Sequence, residues 1–107
     1  MKPSNKLKIK TLDKGWSDND NIMLHACFGL LADCIENEKL LSKKMFDWDH
    51  NEKTKKEKTE LKALYKWWKN RIKAEQKGKL KADDENQYKE DNEMLIRLVL
   101  IRNILWT

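Results

Sequence analysis

Apolar residues along the chain fall into three segments, each with a helical pattern. In the first, from Ile22 to Ile35, only three positions interrupt eleven apolar residues. A helix with apolar side chains on nearly every face is normally buried on nearly every face. Ser17 and Asp20 have the spacing of a capping box, with Asp in place of the usual Glu. The pattern predicts helix A from Ser17 to about Asn37.

The second segment predicts a one-sided helix B from about Asn51 to Lys77. Its first half mixes Lys and Glu, and its second half has apolar residues at the i, i+3, i+4, i+7 and i+11 spacing of one helix face. Gly78 follows as a predicted C-terminal cap. The apolar stripe consists of Leu61, Leu64, Tyr65, Trp68 and Ile72.

The third segment predicts helix C from about Asp84 to the last residues, with only three polar positions between Met94 and Trp106. We therefore predict an all-α fold of three helices, two strongly apolar and one amphipathic and basic, in one domain at 17–107. Three helices in a monomer cannot cover the apolar faces of both helix A and helix C. Soluble monomers rarely expose large apolar patches, so we predict a homo-oligomer that associates through these two helices.

Charge is distributed unevenly around a net charge of +5. Residues 1–16 carry +4 and predict a basic extended arm, residues 17–38 carry −5, residues 39–81 carry +9 and residues 82–107 carry −3. We expect no signal peptide and no membrane segment, because the longest apolar run is too short and too charged. Cys27 and Cys34 lie seven residues apart in helix A, about 10 Å and beyond disulfide reach. They are typical of buried thiols in a reducing cytoplasm.

An aromatic and basic cluster in helix B is the strongest candidate binding site. Trp67 lies about 100° from the stripe residue Trp68 and shares a helix face with Arg71. An aromatic ring beside cations suits stacking on a nucleotide base while the cations meet phosphate. The alternative is that Trp67 packs at the oligomer interface, where Trp and Arg are enriched. The predicted ligand-binding residues are Trp67, Arg71, Lys66, Lys69, Trp48 and His25.

Charges within the apolar helices predict a buried ion-pair network. Glu93 and Arg97 are four residues apart in the order that favours an ion pair. A charge in a buried helix requires a partner. We predict that Arg97 pairs with Glu93 and with Glu36 of helix A, with His25 nearby, in a structural and not a catalytic role.

An enzymatic reading has weaker support, and we predict no catalytic residue, metal or cofactor. All-α nucleotide pyrophosphohydrolases hold Mg²⁺ with acids three residues apart on helices. Four such pairs occur here, which is close to chance for 18 acids in 107 residues. Nucleic-acid binding is a further alternative, from the lysine-rich helix B, although its lysines alternate with Glu. The acidic pairs are Asp33/Glu36, Asp49/Glu52, Glu57/Glu60 and Glu90/Glu93.

Five short motifs extend over most of the chain from Gly15 onward. They are Gly15-Trp16, Leu24-His25-Ala26, Asp47-Trp48-Asp49, Leu64-Tyr65-x-Trp67-Trp68-Lys69-x-Arg71, and the C-terminal Asp91-x-Glu93-Met94-Leu95-Ile96-Arg97-Leu98-Val99-x-Ile101-Arg102-x-x-Leu105-Trp106-Thr107. Together they resemble a family of small proteins encoded by tailed bacteriophages. The chain departs from that family at Leu100, where a Lys is expected, and in the short stretch between helices B and C.

The resemblance implies a viral protein made in the host bacterial cytoplasm. Small non-enzymatic phage proteins are often accessory inhibitors of host antiviral defence, which bind a defence protein or sequester its nucleotide signal. The leading hypothesis is therefore a counter-defence binder, and it rests on association with such proteins. A virion structural or assembly protein is the main alternative, and the nucleic-acid binder and the Mg²⁺-dependent hydrolase follow.

Overall fold

The computed structural model describes residues 19–41, 48, 50–78 and 84–105. Helix α1 comprises Asn19–Glu36, α2 comprises Glu52–Gln76 and α3 comprises Glu85–Leu100, followed by a single 3-10 turn at Arg102–Ile104. Within these residues the fold is all-helical and contains no strand, which confirms the predicted fold class. The basic arm at 1–16 and the Ser17 cap lie outside the described residues.

Helix α2 begins in a reciprocal cap. The Asn51 side chain accepts a hydrogen bond from the Thr54 backbone N–H at 2.9 Å, and the Thr54 hydroxyl accepts one from the Asn51 N–H at 3.2 Å. At the other end Gly78 has φ +69°, a left-handed conformation that glycine adopts without steric cost. Asp84 caps α3 through the N–H groups of the next turn. The predicted starts of helices B and C and the Gly78 cap are confirmed.

Helices α1 and α3 both pack against α2 and run antiparallel to it. Glu75 near the end of α2 meets His25 near the start of α1, whereas Tyr65 meets Glu36 at the end of α1. Contacts of Arg71 with Asp91 and of Glu60 with Arg97 order α3 antiparallel to α2 in the same way. Helices α1 and α3 therefore run parallel to each other, and they contact one another as well as α2.

The core lies where the inner faces of the helices meet. Phe28 of α1 is fully buried and stacks on Trp68 of α2, with ring centroids 5.1 Å apart. Four of the five predicted stripe residues of α2 are buried, and Tyr65 is half-buried. The buried apolar residues are Leu24, Phe28, Leu31, Cys34, Leu40, Trp48, Leu61, Leu64, Trp68, Ile72, Leu98 and Ile104.

Helices α1 and α3 are less completely buried than their composition predicts. Met23 and Leu30 of α1 are exposed. On α3 the fold buries Asp91 and Leu98, whereas Ile96, Val99 and Leu100 near the end of the helix are exposed. The apolar excess expected from the sequence therefore remains on the surface of the three-helix unit. None of the described helices is long and apolar enough to cross a membrane.

Candidate binding surfaces

A buried ion pair joins α2 to α3. The Arg71 guanidinium donates to both carboxylate oxygens of Asp91, from Nε and Nη2 at 2.9 Å each. Gln87 donates to the same carboxylate at 2.8 Å. Arg71 Nη1 also donates to Glu75 at 3.1 Å, one turn along α2. This bidentate geometry is the strong form of a charged hydrogen bond, and both partners of the pair are buried.

His25 of α1 completes this network. Its side chain is fully buried, its Nε2 lies 2.8 Å from a Glu75 oxygen, and its ring meets Trp68 edge-on at 4.8 Å. Burial lowers the pKa of His25 below its usual range, and the nearby Arg71 adds to this, whereas Glu75 and Asp91 act in the opposite direction. The imidazole is therefore neutral at neutral pH, and it links α1 to the Arg71–Asp91 pair through Glu75.

Acidification should destabilise the protein through His25. The pKa of this residue is lowered by folding, so below about pH 6.5 the unfolded chain binds more protons than the folded one. The contribution of His25 to the free energy of unfolding is therefore full above that pH. It decreases as the pH is lowered toward the folded-state pKa, by at most about 1.4 kcal/mol per pH unit for one proton. Urea midpoints at pH 7.5 and 5.5 measure the effect. The pKa values of Glu36 and Glu60 are also lowered, and their contributions to stability are lost only at more acidic pH.

Two variants isolate this effect. His25→Gln should reduce the difference between the two midpoints, and His50→Gln, at the other, exposed histidine, should preserve it. A His25→Gln protein with the same loss of stability between pH 7.5 and 5.5 as the unmodified chain would contradict the assignment.

The predicted aromatic and basic ligand site is not assembled on the surface. Arg71 and His25 are enclosed in the network, and the indole N–H of Trp48 donates to the Leu40 carbonyl at 2.9 Å in the core. Trp67 is half-buried, with its ring 5.2 Å from Phe28 and its N–H donated to Glu90 at 2.6 Å. These four side chains make contacts within the packed helices, and their role in ligand binding stays a prediction.

The two predicted lysines of that site lie outside the network. Lys66 is exposed, and Lys69 pairs with Glu36 at 3.3 Å. Glu36 also accepts a hydrogen bond from the Tyr65 hydroxyl at 2.5 Å, which raises the pKa of Tyr65 to about 12. These contacts lower the pKa of Glu36 and fasten the end of α1 to α2.

Arg97 has a different partner from the two that the sequence predicts. Arg97 donates to Glu60 of α2, from Nε at 2.9 Å and through a second, shorter contact from Nη2. Glu93, its predicted partner, is exposed, and Glu36 is occupied by Tyr65 and Lys69. The Arg97 side chain is 43% exposed. Arg97 precedes Leu98, a residue of the inner face of α3, by one position, and its side chain extends along the surface to Glu60 of α2. The buried charge network forms around Arg71 and not around Arg97.

Helix α2 presents a row of lysines on its outer face. Lys62, Lys66, Lys73 and Lys77 are exposed and, at about 100° per residue, fall within about 60° of one another around the helix axis. Among the described residues none of the four has a carboxylate partner within ion-pair distance. We call these four residues the lysine row.

The glutamates that alternate with lysines in the α2 sequence point away from the lysine row. Glu57, Glu60 and Glu75 lie more than about 120° from its centre. Glu60 is held by Arg97, and Glu75 by Arg71 and His25. Glu52 lies in the first turn, about 15 Å along the axis from Lys62. The lysines and glutamates of α2, which alternate in the sequence, therefore lie on separate faces of the helix, one cationic and one internal and acidic.

A second exposed feature is the apolar end of α3. Ile96, Val99 and Leu100 are 59%, 51% and 74% exposed on consecutive turns of one helix face. Glu93 and Arg102, of opposite sign, lie at its edges and are exposed. We call Ile96, Val99 and Leu100 the α3 patch.

Several acids of the pairs in the hydrolase alternative make other contacts, and Asp49 lies outside the described residues. Glu36 and Glu60 hold cations, Glu90 accepts from Trp67, and Asp33 accepts from Asn37 at 2.7 Å. In the described part of the chain no three or more His, Cys, Asp or Glu residues gather as a metal site would require. Cys27 and Cys34 are not joined in a disulfide, and burial raises the pKa of Cys27.

No protein-family model, curated protein or solved structure matches the chain.

Proposed function

We propose that this chain is a non-catalytic binding protein that works as a homo-oligomer associated through the α3 patch. The observation that carries the proposal is the exposure of Ile96, Val99 and Leu100 on one face of an otherwise well-packed helical unit. The side chains suited to acid–base chemistry support the non-catalytic part of the proposal. His25, Arg71, Glu75 and Asp91 neutralise one another between the helices instead of facing a substrate.

A second copy of the chain is the occupant that the α3 patch fits best. The patch exposes a few hundred Å² of apolar surface, about what soluble monomers tolerate at most. A two-fold axis would double that area and place the patch against its own copy, the commonest arrangement of soluble oligomers. The edges carry both an acid and a base, Glu93 and Arg102, so the surface has no single-sign field that would repel a second copy.

In biological terms we propose that the protein acts in a phage-infected bacterium, in the host cytoplasm, as an inhibitor of antiviral defence. The proposal follows from the resemblance to small proteins of tailed phages. Of the two modes considered, occupying a defence protein is better supported than sequestering a nucleotide signal. The aromatic and cationic side chains that nucleotide capture requires, Trp67 and Arg71, are bound to Glu90, Asp91 and Glu75.

Plating assays test this function directly. The chain is expressed in bacterial strains that each carry one defence system, and the strains are challenged with a phage sensitive to that system. We expect plating efficiency to rise in at least one strain and to remain unchanged in a strain without defence systems. An assembly protein would give no rescue in any strain and would be needed for virion formation on the defenceless host, so that pair of results contradicts the proposal.

The same assay links function to the α3 patch. Ile96→Asp/Leu100→Asp should abolish rescue, because two buried carboxylates would oppose the apolar interface. Asn86→Asp/Tyr88→Asp is the matched control, since it adds the same charge at exposed positions near the start of α3, away from the α3 patch and the lysine row. Equal rescue by the α3 variant and the control would show that the function does not depend on the α3 patch.

A further inference from the structure

We propose that the lysine row of α2 binds the phosphate backbone of duplex nucleic acid. The row joins four exposed ammonium groups on one helix face, and no carboxylate of the described residues neutralises them. It is independent of the α3 patch, which lies on another helix. A continuous cationic stripe on one face is the electrostatic footprint of nucleic-acid binding.

The spacing of the row suits a regular array of phosphates. Lys62 and Lys66, and likewise Lys73 and Lys77, are four residues apart, or about 6 Å along the helix axis. The whole row extends about 22 Å, which corresponds to roughly six phosphates of one strand of a duplex at 3.4 Å each. Lysine binds phosphate as a point charge, so the row would position a duplex without reading its sequence.

The side chains around the row favour a duplex over a single strand. Proteins that bind single strands without sequence preference stack the bases on exposed aromatic rings. The aromatic residues of α2 do not offer this: Trp68 is buried, Trp67 packs against Phe28, and the Tyr65 hydroxyl is held by Glu36. Phosphate contact is therefore the chemistry that this face provides.

The same surroundings argue against an acidic protein as the partner. Stable protein interfaces depend on apolar or aromatic anchors near their centre. In the described residues the exposed large apolar side chains belong to α1 and α3, and none belongs to α2. The residues beside the lysine row are small or polar, namely Thr59, Ala63 and Asn70, together with Lys69, which pairs with Glu36. A partner that is itself a dense, regular array of charge fits this face better.

Fluorescence anisotropy with the full chain tests the proposal. The probe is a labelled DNA duplex of about 20 base pairs, three times the length of the row, titrated at several NaCl concentrations. We expect sequence-independent binding that weakens steeply with salt, with a slope of log K against log [NaCl] near −3.6 for four phosphate contacts. An RNA duplex should bind as well, because the contacts are to phosphate.

Charge-neutralised variants locate the site. Lys66→Gln/Lys73→Gln should weaken binding by about tenfold or more near 0.1 M salt and reduce the slope by about 2. Lys53→Gln/Lys56→Gln makes the same charge change at exposed positions of α2 outside the row, and it should have a much smaller effect. Both variants change exposed side chains, so their helical circular dichroism should match that of the unmodified protein.

Three results would overturn the assignment. The first is an equal loss of affinity in the two lysine variants, which would mean that only total charge matters. The second is binding that salt does not weaken. The third is competition by poly-glutamate as strong as that by unlabelled duplex, which would identify the surface as a general anion site or one for acidic proteins.

Discussion

Replacing Arg71 with alanine should lower the free energy of unfolding by about 3–5 kcal/mol. The arginine donates to both oxygens of Asp91 and to Glu75, and its side chain is only 8% exposed. Its removal would leave the buried Asp91 carboxylate and the partly buried Glu75 without their cation. Removing one partner of a buried pair costs far more than the pair contributes on balance. Urea unfolding followed by circular dichroism measures the change.

Three further variants make this prediction specific. Arg97→Ala should cost no more than about 1 kcal/mol, because that ion pair is partly exposed to solvent and is screened by it. Arg71→Lys should fall between the two, since lysine cannot form the bidentate contact. Should Arg71→Ala fail to fold, Arg71→Met/Asp91→Leu should restore folding by removing both charges together. A loss for Arg71→Ala no larger than for Arg97→Ala would refute the central place of this network.

Truncation of Trp68 should be similarly severe, with an expected loss of about 3–5 kcal/mol for Trp68→Ala. The indole is 1% exposed, stacks on Phe28 and receives the edge of His25. Because it contacts both the apolar core and the polar network, a cavity here removes packing from α1 and α2 at once. Chemical unfolding at pH 7.5 gives the magnitude.

An exposed aromatic residue provides the control for this truncation. Tyr88 of α3 is 54% exposed, so Tyr88→Ala should change stability by well under 1 kcal/mol. Trp68→Phe keeps an aromatic ring in contact with Phe28 and should recover part of the loss. If Trp68→Ala and Tyr88→Ala unfold at the same urea concentration, Trp68 is not the core residue described here.

The helices could be predicted from local chemistry. Asn51, Asp84 and Gly78 are strong capping residues, and the stripe from Leu61 to Ile72 has a helical period, so both boundaries and the inner face of α2 followed from the sequence. The extent of burial did not follow. Composition alone made helices A and C appear buried all round, but which apolar residues meet a neighbour depends on tertiary packing. Met23 and Leu100 face outward for that reason.

The polar network follows from helical register and not from the aromatic neighbour of Arg71. Beside Trp67 the residue resembles a surface cation, but Arg71 lies seven residues after the buried Leu64 and so shares its face. Asp91 lies seven residues before Leu98 and faces inward for the same reason. A polar residue in register with the core was the available signal. Its partner across helices could not be identified, because cross-helix pairing is not encoded in spacing along one helix.

Helical register also decides which charges lie on the outer face of α2. In the linear sequence, Glu57, Glu60 and Glu75 balance the lysines of helix B. Wound on the helix, those acids fall on the side that meets α1 and α3, where two of them hold Arg97, Arg71 and His25. The charge balance of a helix therefore has to be assessed face by face.

The molar mass of the full chain in solution tests the central claim most directly. Light scattering on a size-exclusion column at micromolar concentration should give a multiple of the mass of one chain. Ile96→Asp/Leu100→Asp should reduce it to a single-chain mass with helix content unchanged, and Asn86→Asp/Tyr88→Asp should leave it unchanged. A single-chain mass for the unmodified protein, or an oligomer that survives the α3 substitutions, would contradict the proposal that the α3 patch is the surface through which this protein associates.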